Sequence, residues 1–191
     1  MSSASQKVQE SNDQTAIRAV LESVAKAHYD KNAAGIVAPY APDAELYSLA
    51  PPLRHVGMKT NEIQVWLDTW EGPIEREVRD LKIAVTGDFA LVHGYYRLGG
   101  TPKSAGRPIS FWMRATVALR REGNGWQIVH EHVSVPFYMD GSLRPAFDLQ
   151  PYVRGAGHTV GSRRVSVTAC AGTTCLDFVG YSVDIPPNPL Q

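Results

Sequence analysis

The sequence predicts an α+β domain in which helices pack on one face of a curved, largely antiparallel sheet. Helically spaced apolar residues are confined to the first 70 positions, and strand-like patterns occupy residues 74–136. Short glycine-containing turns separate the later strands, which favours antiparallel neighbours. No apolar run reaches the roughly 18 residues that a membrane-spanning helix needs.

Three helices are predicted, and the first is the longest. Ile17, Leu21 and Val24 recur at helical spacing and indicate an amphipathic helix that buries one stripe. Pro39 limits the second helix, because proline cannot continue a helical hydrogen-bond pattern. The predicted helices span residues 13–32, 33–40 and 59–70. The predicted strands span residues 44–49, 74–85, 89–98, 109–121 and 126–136.

Composition excludes some classes of binding partner and indicates how the chain divides into segments. The 19 Lys and Arg residues balance the 19 Asp and Glu residues, so we expect neither a nucleic-acid partner nor a membrane partner. We predict a disordered lead over residues 1–11, one domain over residues 12–150, and a tail of unknown role over residues 151–191. The polar N-terminus lacks the apolar core of a signal peptide, which favours a cytoplasmic location.

The chemistry predicted from the residues centres on two consecutive strands within residues 111–137. Arg114 and Thr116 lie two apart on the first strand, and His130 and His132 lie two apart on the second. Side chains alternate faces along a strand, so each pair shares a face, and we predict that this polar face lines a pocket. Glu131 alternates with the histidines and is expected on the opposite, outer face.

The register of these two strands depends on the turn between them. A three-residue turn with a bulge would place Arg114 opposite His132 and Thr116 opposite His130. A four-residue turn would place the neighbouring apolar residues opposite the histidines instead. The first register gathers the polar groups and is the one we favour.

Three interpretations of this face remain open. His132 and His130 are candidate catalytic acid/base groups, since an ordinary histidine pKa suits that work, and Arg114 would contact a carboxylate or an oxyanion. The same groups would also suit ligand binding without chemistry, or a buried structural network. A metal would need a third ligand, for which His28 is the obvious candidate, and we predict no metal site.

Further side chains are predicted to bind the substrate. Aromatic walls with a few convergent polar groups are typical of small-molecule cavities. The predicted substrate-binding residues are Ser48, Thr116, His28, Tyr29, Tyr47, Trp66 and Trp112.

Four segments of the chain resemble the SnoaL-like, ketosteroid-isomerase-like branch of the nuclear transport factor 2 (NTF2) superfamily. They are LAPPLRHVG (49–57), GPIEREVRDL (72–81), FWMRATVALRR (111–121) and WQIVHEHVSVPF (126–137). The resemblance covers about residues 12–150. It implies an NTF2-like cone, in which a strongly curved mixed sheet wraps around a long N-terminal helix and two shorter ones and encloses one cavity. It also implies a homodimer joined through the outer face of the sheet.

The resemblance does not carry over the steroid isomerase machinery. The catalytic base of that enzyme aligns with Ser48, its oxyanion tyrosine with Val24, and its oxyanion aspartate falls near Thr116. A serine without an activating base does not abstract a carbon-bound proton at neutral pH. SnoaL-type cyclases use one carboxylic acid in the cavity, and no carboxylate is placed there by pattern alone.

The sequence therefore predicts a small-molecule enzyme that works by acid/base chemistry without a cofactor. An isomerase, cyclase, dehydratase or hydratase acting on an apolar substrate with a carbonyl or carboxylate would fit. The alternative is a non-catalytic module for small-ligand binding or oligomerisation.

Overall fold

The computed structural model describes the backbone of residues 3–151, 168–171 and 174–177, and the side chains of residues 12–151. The chain divides into two units, Met1–Pro151 and Tyr152–Gln191. In the first unit the helices are α1 (Ser3–Tyr29), α2 (Ala33–Val37) and α3 (Thr60–Asp68). Its strands are β1 (Tyr40–Tyr47), β2 (His55–Val56), β3 (Trp70–Thr86), β4 (Phe89–Pro102), β5 (Ile109–Glu122) and β6 (Gly125–Ser134).

The six strands form one sheet in the order β2-β1-β6-β5-β4-β3. β1 runs parallel to β6, and the other neighbours are antiparallel. The sheet is mixed, curved and not closed into a barrel, so the predicted α+β fold is confirmed. Among the described residues, no helix is both long and apolar enough to cross a membrane.

Helix α1 packs against β3 and β6 on the inner face of the sheet. Ile17, Leu21 and Val24 are at most 3% exposed and form the buried stripe that the sequence predicted. The helix already includes residues 3–11, where a disordered lead was expected. These residues include Ala, Gln, Lys and Glu, which favour helix, and extending an existing helix costs far less than nucleating one.

Strand β1 begins at Tyr40, four residues earlier than predicted, and α2 ends at Val37. This start was not predicted, because Pro42 lies within the strand and proline is rare inside strands. The pairing of β1 with β6 shifts between Tyr40 and Glu45, so Pro42 lies where the ladder is interrupted and its missing N–H is tolerated.

Among the described residues, the pairing of strands β3 to β6 shifts register at three points, and two of these irregularities lie near the candidate site. The β3–β4 register shifts between Arg79 and Lys82, where Asp80 has a φ of +52°. Gly94 on β4 faces this bulge, and a Cβ there would lie 2.8 Å from the Arg79 carbonyl oxygen. The second irregularity leaves Val129 of β6 unpaired in the β5–β6 ladder. A bulge inserts one residue into one strand and bends it, which produces the curvature of the sheet.

The β5–β6 hairpin has a two-residue turn at 123–124, so both predicted registers are wrong. Gly123 has a φ of +57°, a conformation suited to tight hairpins whose twist matches that of the strands. Together with the Val129 bulge, this turn pairs Thr116 with His132 and Arg114 with Ser134.

In the second unit the described backbone forms an antiparallel pair, Thr168–Ala171 and Thr174–Asp177. The sequence has short strand-like runs at 164–168 and 176–183, and most of both runs lies outside the described residues. The role of this tail stays a prediction.

Candidate active site

A cavity of about 410 Å³ opens in the first unit, bordered by the three helices, by β1, by β3 to β6 and by the segment 48–58. Its wall is mainly apolar. Leu46, Met58, Ile63, Trp66 and Met113 contribute to it. This volume is within the range of small-molecule sites, which combine apolar walls with a few polar groups.

The polar groups converge in one cluster, formed by His28, Arg76, Glu131 and Tyr40 and called the polar cluster below. Nη2 of Arg76 lies 3.1 Å from Oε1 and 3.0 Å from Oε2 of Glu131. The Tyr40 hydroxyl donates to Glu131 Oε2 at 3.0 Å. His28 Nε2 lies 3.4 Å from Nη1 of Arg76. The Arg76 and Glu131 side chains are only 10% and 13% exposed, so this is a largely buried ion pair.

His28 reaches the cluster because it continues the buried stripe of α1. It lies four residues after Val24 and seven after Leu21, so all three share one helix face. His28 is 7% exposed, and its ring meets Trp66 edge-on at 5.8 Å between ring centroids.

Glu131 reaches the cluster because of the bulge at Val129. Before the bulge Trp126 and Ile128 face inward, with exposures of 5% and 0%. The extra residue reverses the alternation, so Glu131 and Val133 face the cavity. The prediction that Glu131 points to the outer face is therefore wrong.

The same reversal moves the predicted catalytic face to the outside of the sheet. His130 and His132 pack edge-on against Tyr47, with ring centroids 4.9 Å and 5.7 Å apart. Arg114 is exposed, and Thr116 is paired with His132 on the same outer face. The prediction that these four residues line the cavity is wrong, because regular alternation was assumed across a bulged strand.

The predicted substrate-binding residues divide into two groups. Four border the cavity: His28, Tyr47, Ser48 and Trp66. Three do not: Tyr29, Thr116 and Trp112. Tyr29 is 55% exposed at the end of α1. The Trp112 ring nitrogen donates to Gln150 Oε1 at 2.8 Å. A binding role for the first group stays a prediction.

Arg76 is a site residue that was not predicted, although the sequence of β3 contains a signal for it. Ile74, Arg76 and Val78 alternate on β3, and Ile74 is fully buried, so the pattern places Arg76 on the inner face. No comparable signal exists for Glu131, since an unpaired residue at Val129 cannot be recognised from an apolar strand sequence.

His28 is neutral at physiological pH. Its Nδ1 lies 2.7 Å from the Val24 carbonyl oxygen, which can only accept, so Nδ1 carries the proton and Nε2 keeps its lone pair. Burial, and next the charge of Arg76, lower the pKa of His28 to about 3. The cavity therefore contains an unprotonated ring nitrogen beside a guanidinium.

The pKa values of Tyr40 and Arg76 are both raised. Burial and the charge of Glu131 raise the pKa of Tyr40 well above its ordinary value, so its hydroxyl stays protonated and donates. Burial acts to lower the pKa of Arg76, but the charge and hydrogen bond of Glu131 together with Tyr40 and Tyr96 outweigh it, so the pKa is raised. The guanidinium also stacks on the face of Tyr96, with Cζ 4.3 Å from the ring centroid.

Within the part of the chain that the structure describes, no three His, Cys, Asp or Glu residues lie close enough together to hold a metal ion. The cavity presents instead a hydrogen-bonded carboxylate, a guanidinium and a neutral imidazole. These groups can accept a proton and stabilise negative charge on oxygen.

Solved structures resemble this chain over most of its length. An NTF2-like protein of unknown function from Pseudomonas putida KT2440 is 33% identical, with a TM-score of 0.64 over 74% of this chain and 98% of that one. A candidate dehydratase of the NTF2-like family from Streptomyces avermitilis is 18% identical, with a TM-score of 0.56 over 67% of this chain and 99% of that one. LinA is 12% identical, with a TM-score of 0.60 over 69% of this chain and 90% of that one.

No curated protein matches the chain. The family of SnoaL-like domains matches residues 17–138, which include all of the polar cluster and most of the cavity wall. On this match and the likeness to the Pseudomonas protein, the chain belongs to the SnoaL-like family of the NTF2-like superfamily.

Proposed function

We propose that this protein is a small-molecule enzyme that performs cofactor-independent acid/base chemistry on an apolar substrate bearing a carbonyl or carboxylate. His28 is the proton acceptor, and Arg76 is the contact for the developing oxyanion. The observation that carries the proposal is the unprotonated Nε2 of His28, 3.4 Å from Arg76 Nη1, at the wall of an apolar cavity.

The proposed first step removes a proton from the carbon next to a carbonyl. The proton moves to Nε2 of His28, and the electron pair of the C–H bond forms the C=C bond of an enolate. The π pair of the carbonyl moves to its oxygen, which the guanidinium of Arg76 stabilises. Return of the proton to another carbon gives isomerisation, and departure of a β-hydroxyl with a proton gives dehydration. The remaining reactions of this class, hydration and cyclisation, use the same groups.

The low pKa of His28 makes it a weak base while the cavity is empty. Part of that lowering comes from the positive charge of Arg76. Negative charge developing on a substrate oxygen beside Arg76 offsets the guanidinium, so the basicity of His28 increases as the reaction proceeds.

The second candidate is a non-catalytic binder of small apolar molecules. The observation that favours it is the same low pKa, because efficient general bases have pKa values near the working pH. The NTF2-like fold generally binds small hydrophobic ligands, which suits both candidates.

Hydrogen exchange separates the two candidates without knowledge of the natural product. The probes are 1-tetralone, 1-indanone and 3-hydroxy-1-indanone in D₂O, followed by proton NMR for loss of the α-hydrogen signal. We expect the wild type to exceed the buffer rate and His28→Gln to fall to it while still binding. Glutamine keeps an acceptor near Arg76 and cannot take up the proton. The matched control is His132→Gln on the outer face, which should exchange like the wild type.

Each outcome of this experiment is decisive. If the wild type binds the ketones without hydrogen exchange, the non-catalytic binder is the correct candidate and the enzyme is not. Equal exchange in the wild type and His28→Gln would remove His28 from the mechanism. Absence of both binding and exchange would count against both candidates.

We also propose a homodimer formed through the outer face of the sheet. Leu91 and Tyr95 are 43% and 36% exposed there. Burial of exposed apolar area against a second copy is a common driving force for symmetric dimers. Light scattering after gel filtration should give twice the chain mass for the wild type and a monomer for Leu91→Glu. A monomeric wild type at micromolar concentration would contradict the dimer.

A further inference from the structure

The charges that border the cavity cancel in pairs. Glu131 directs both carboxylate oxygens at one nitrogen of Arg76, at 3.0 and 3.1 Å. At the rim, Lys59 Nζ lies 2.9 Å from Glu62 Oε1. His28 is neutral, because its Nδ1 proton is donated to the Val24 carbonyl and burial keeps Nε2 unprotonated. Arg76 and Lys59, the described Arg and Lys residues of the cavity wall, are therefore each paired with a carboxylate.

Arg76 nevertheless keeps donor capacity. A guanidinium has five N–H donors in a fixed plane. Its described hydrogen-bond partners are Glu131, contacted through Nη2, His28, contacted through Nη1, and Tyr96. These contacts use at most four of the five donors. A neutral oxygen can accept one of the remaining N–H groups without adding charge to a largely buried site.

From this charge balance we propose that the cavity selects uncharged ligands bearing a hydrogen-bond acceptor, such as ketones, aldehydes and esters, and rejects the corresponding carboxylates. This narrows the substrate class of the proposed function and rests on the same cavity. The preference is a property of binding, so it can be tested without turnover.

A carboxylate ligand would meet two penalties. It would lose its hydration on entering a mainly apolar cavity, and the cation that would compensate this loss is already paired with Glu131. It would also approach Glu131 itself, and two carboxylates that share one site repel each other. A ketone of the same shape meets neither penalty and keeps the hydrogen bond from Arg76.

Isothermal titration calorimetry with two matched probes tests the proposal. 2-Acetonaphthone and 2-naphthoate share the same ring system and differ mainly in charge. For the wild type at pH 7 we expect the ketone to bind at least about tenfold more tightly than the carboxylate, since each 1.4 kcal/mol corresponds to a factor of ten.

The decisive variant is Glu131→Gln, which removes the negative charge and keeps the shape. Arg76 then has no counter-ion, and 2-naphthoate should gain at least about tenfold in affinity, while the ketone changes much less. The matched control, His132→Gln, lies on the outer face of the same strand and should keep the wild-type preference.

The outcomes distinguish this inference from the proposed function. Equal or tighter binding of 2-naphthoate by the wild type would overturn it, and so would a folded Glu131→Gln variant that gains no affinity for the carboxylate. Failure of the wild type to bind either probe would overturn it as well. If Glu131→Gln fails to fold, the wild-type comparison still decides. If the wild type prefers the ketone but catalyses no hydrogen exchange, the proposed enzymatic function is wrong and this inference about ligand charge still holds.

Discussion

Arg76 on β3 and Glu131 on β6 form an ion pair although two strands, β4 and β5, lie between their own. Adjacent strands are roughly 4.8 Å apart, so two side chains separated by three such steps on a flat sheet would not meet. They meet because the sheet curves and both side chains point to its inner face. The pair therefore joins distant strands across the cavity and depends on the bulges that bend them.

The first prediction concerns the energetics of this pair. Arg76→Leu or Glu131→Leu alone should destabilise the protein by about 3–5 kcal/mol, because each leaves a largely buried charge without its partner. The double variant should cost clearly less than the sum of the two, since it leaves no charge behind. Urea unfolding of the four proteins gives the coupling energy. Additive costs would contradict the direct pairing.

The fold could be predicted from the sequence because its signals are local. The stripe of Ile17, Leu21 and Val24, and the short turns between the strands, need no knowledge of distant contacts. His28, predicted from the sequence to bind the substrate, lies four residues after Val24 on the same helix face. The site could not be predicted as a whole, because it depends on one unpaired residue, Val129, which reverses the faces of all later positions of β6. A bulge depends on tertiary packing and cannot be recognised in the sequence of an apolar strand.

The second prediction concerns the hydroxyl of Tyr40, which donates to Glu131 at 3.0 Å. Tyr40→Phe removes a hydrogen bond to a charged group, so the free energy of unfolding should fall by about 1.5–3 kcal/mol. Tyr95→Phe, on the exposed outer face, is the matched control and should change stability by no more than about 0.5 kcal/mol. Equal effects of the two substitutions in urea unfolding would show that the Tyr40 hydroxyl contributes nothing through Glu131.

The third prediction concerns the close approach at the β3 bulge. In Gly94→Ala the new Cβ would lie 2.8 Å from the Arg79 carbonyl oxygen and 2.8 Å from Leu81 Cδ2. The backbone must shift, so we expect a loss of about 1–3 kcal/mol. Gly125→Ala is the matched control, because its Cβ would have 3.9 Å to its nearest neighbour, the Glu122 carbonyl oxygen. Thermal unfolding of both variants should separate them clearly, and a neutral Gly94→Ala would contradict the close approach.

The last prediction concerns pH and follows from the lowered pKa of His28. The pKa is about 3 in the folded protein, whereas a histidine in the unfolded chain has the ordinary value of 6.5. Between these values the unfolded state binds a proton that the folded state does not, so stability rises with pH. The contribution of His28 is complete above pH 6.5 and is lost as pH falls toward 3.

His28→Gln removes this titration, and the difference in unfolding free energy between wild type and variant isolates it. From pH 7 to pH 5 the free energy of unfolding of the wild type should fall by about 2 kcal/mol relative to that of the variant. From pH 8 to pH 7 it should change by less than about 0.3 kcal/mol, because His28 is neutral in both states over most of that range. Urea unfolding at the three pH values measures both changes. A difference that stays constant down to pH 5 would mean that the folded protein can protonate His28 as readily as the unfolded chain, and would remove the neutral imidazole on which the proposed proton transfer depends.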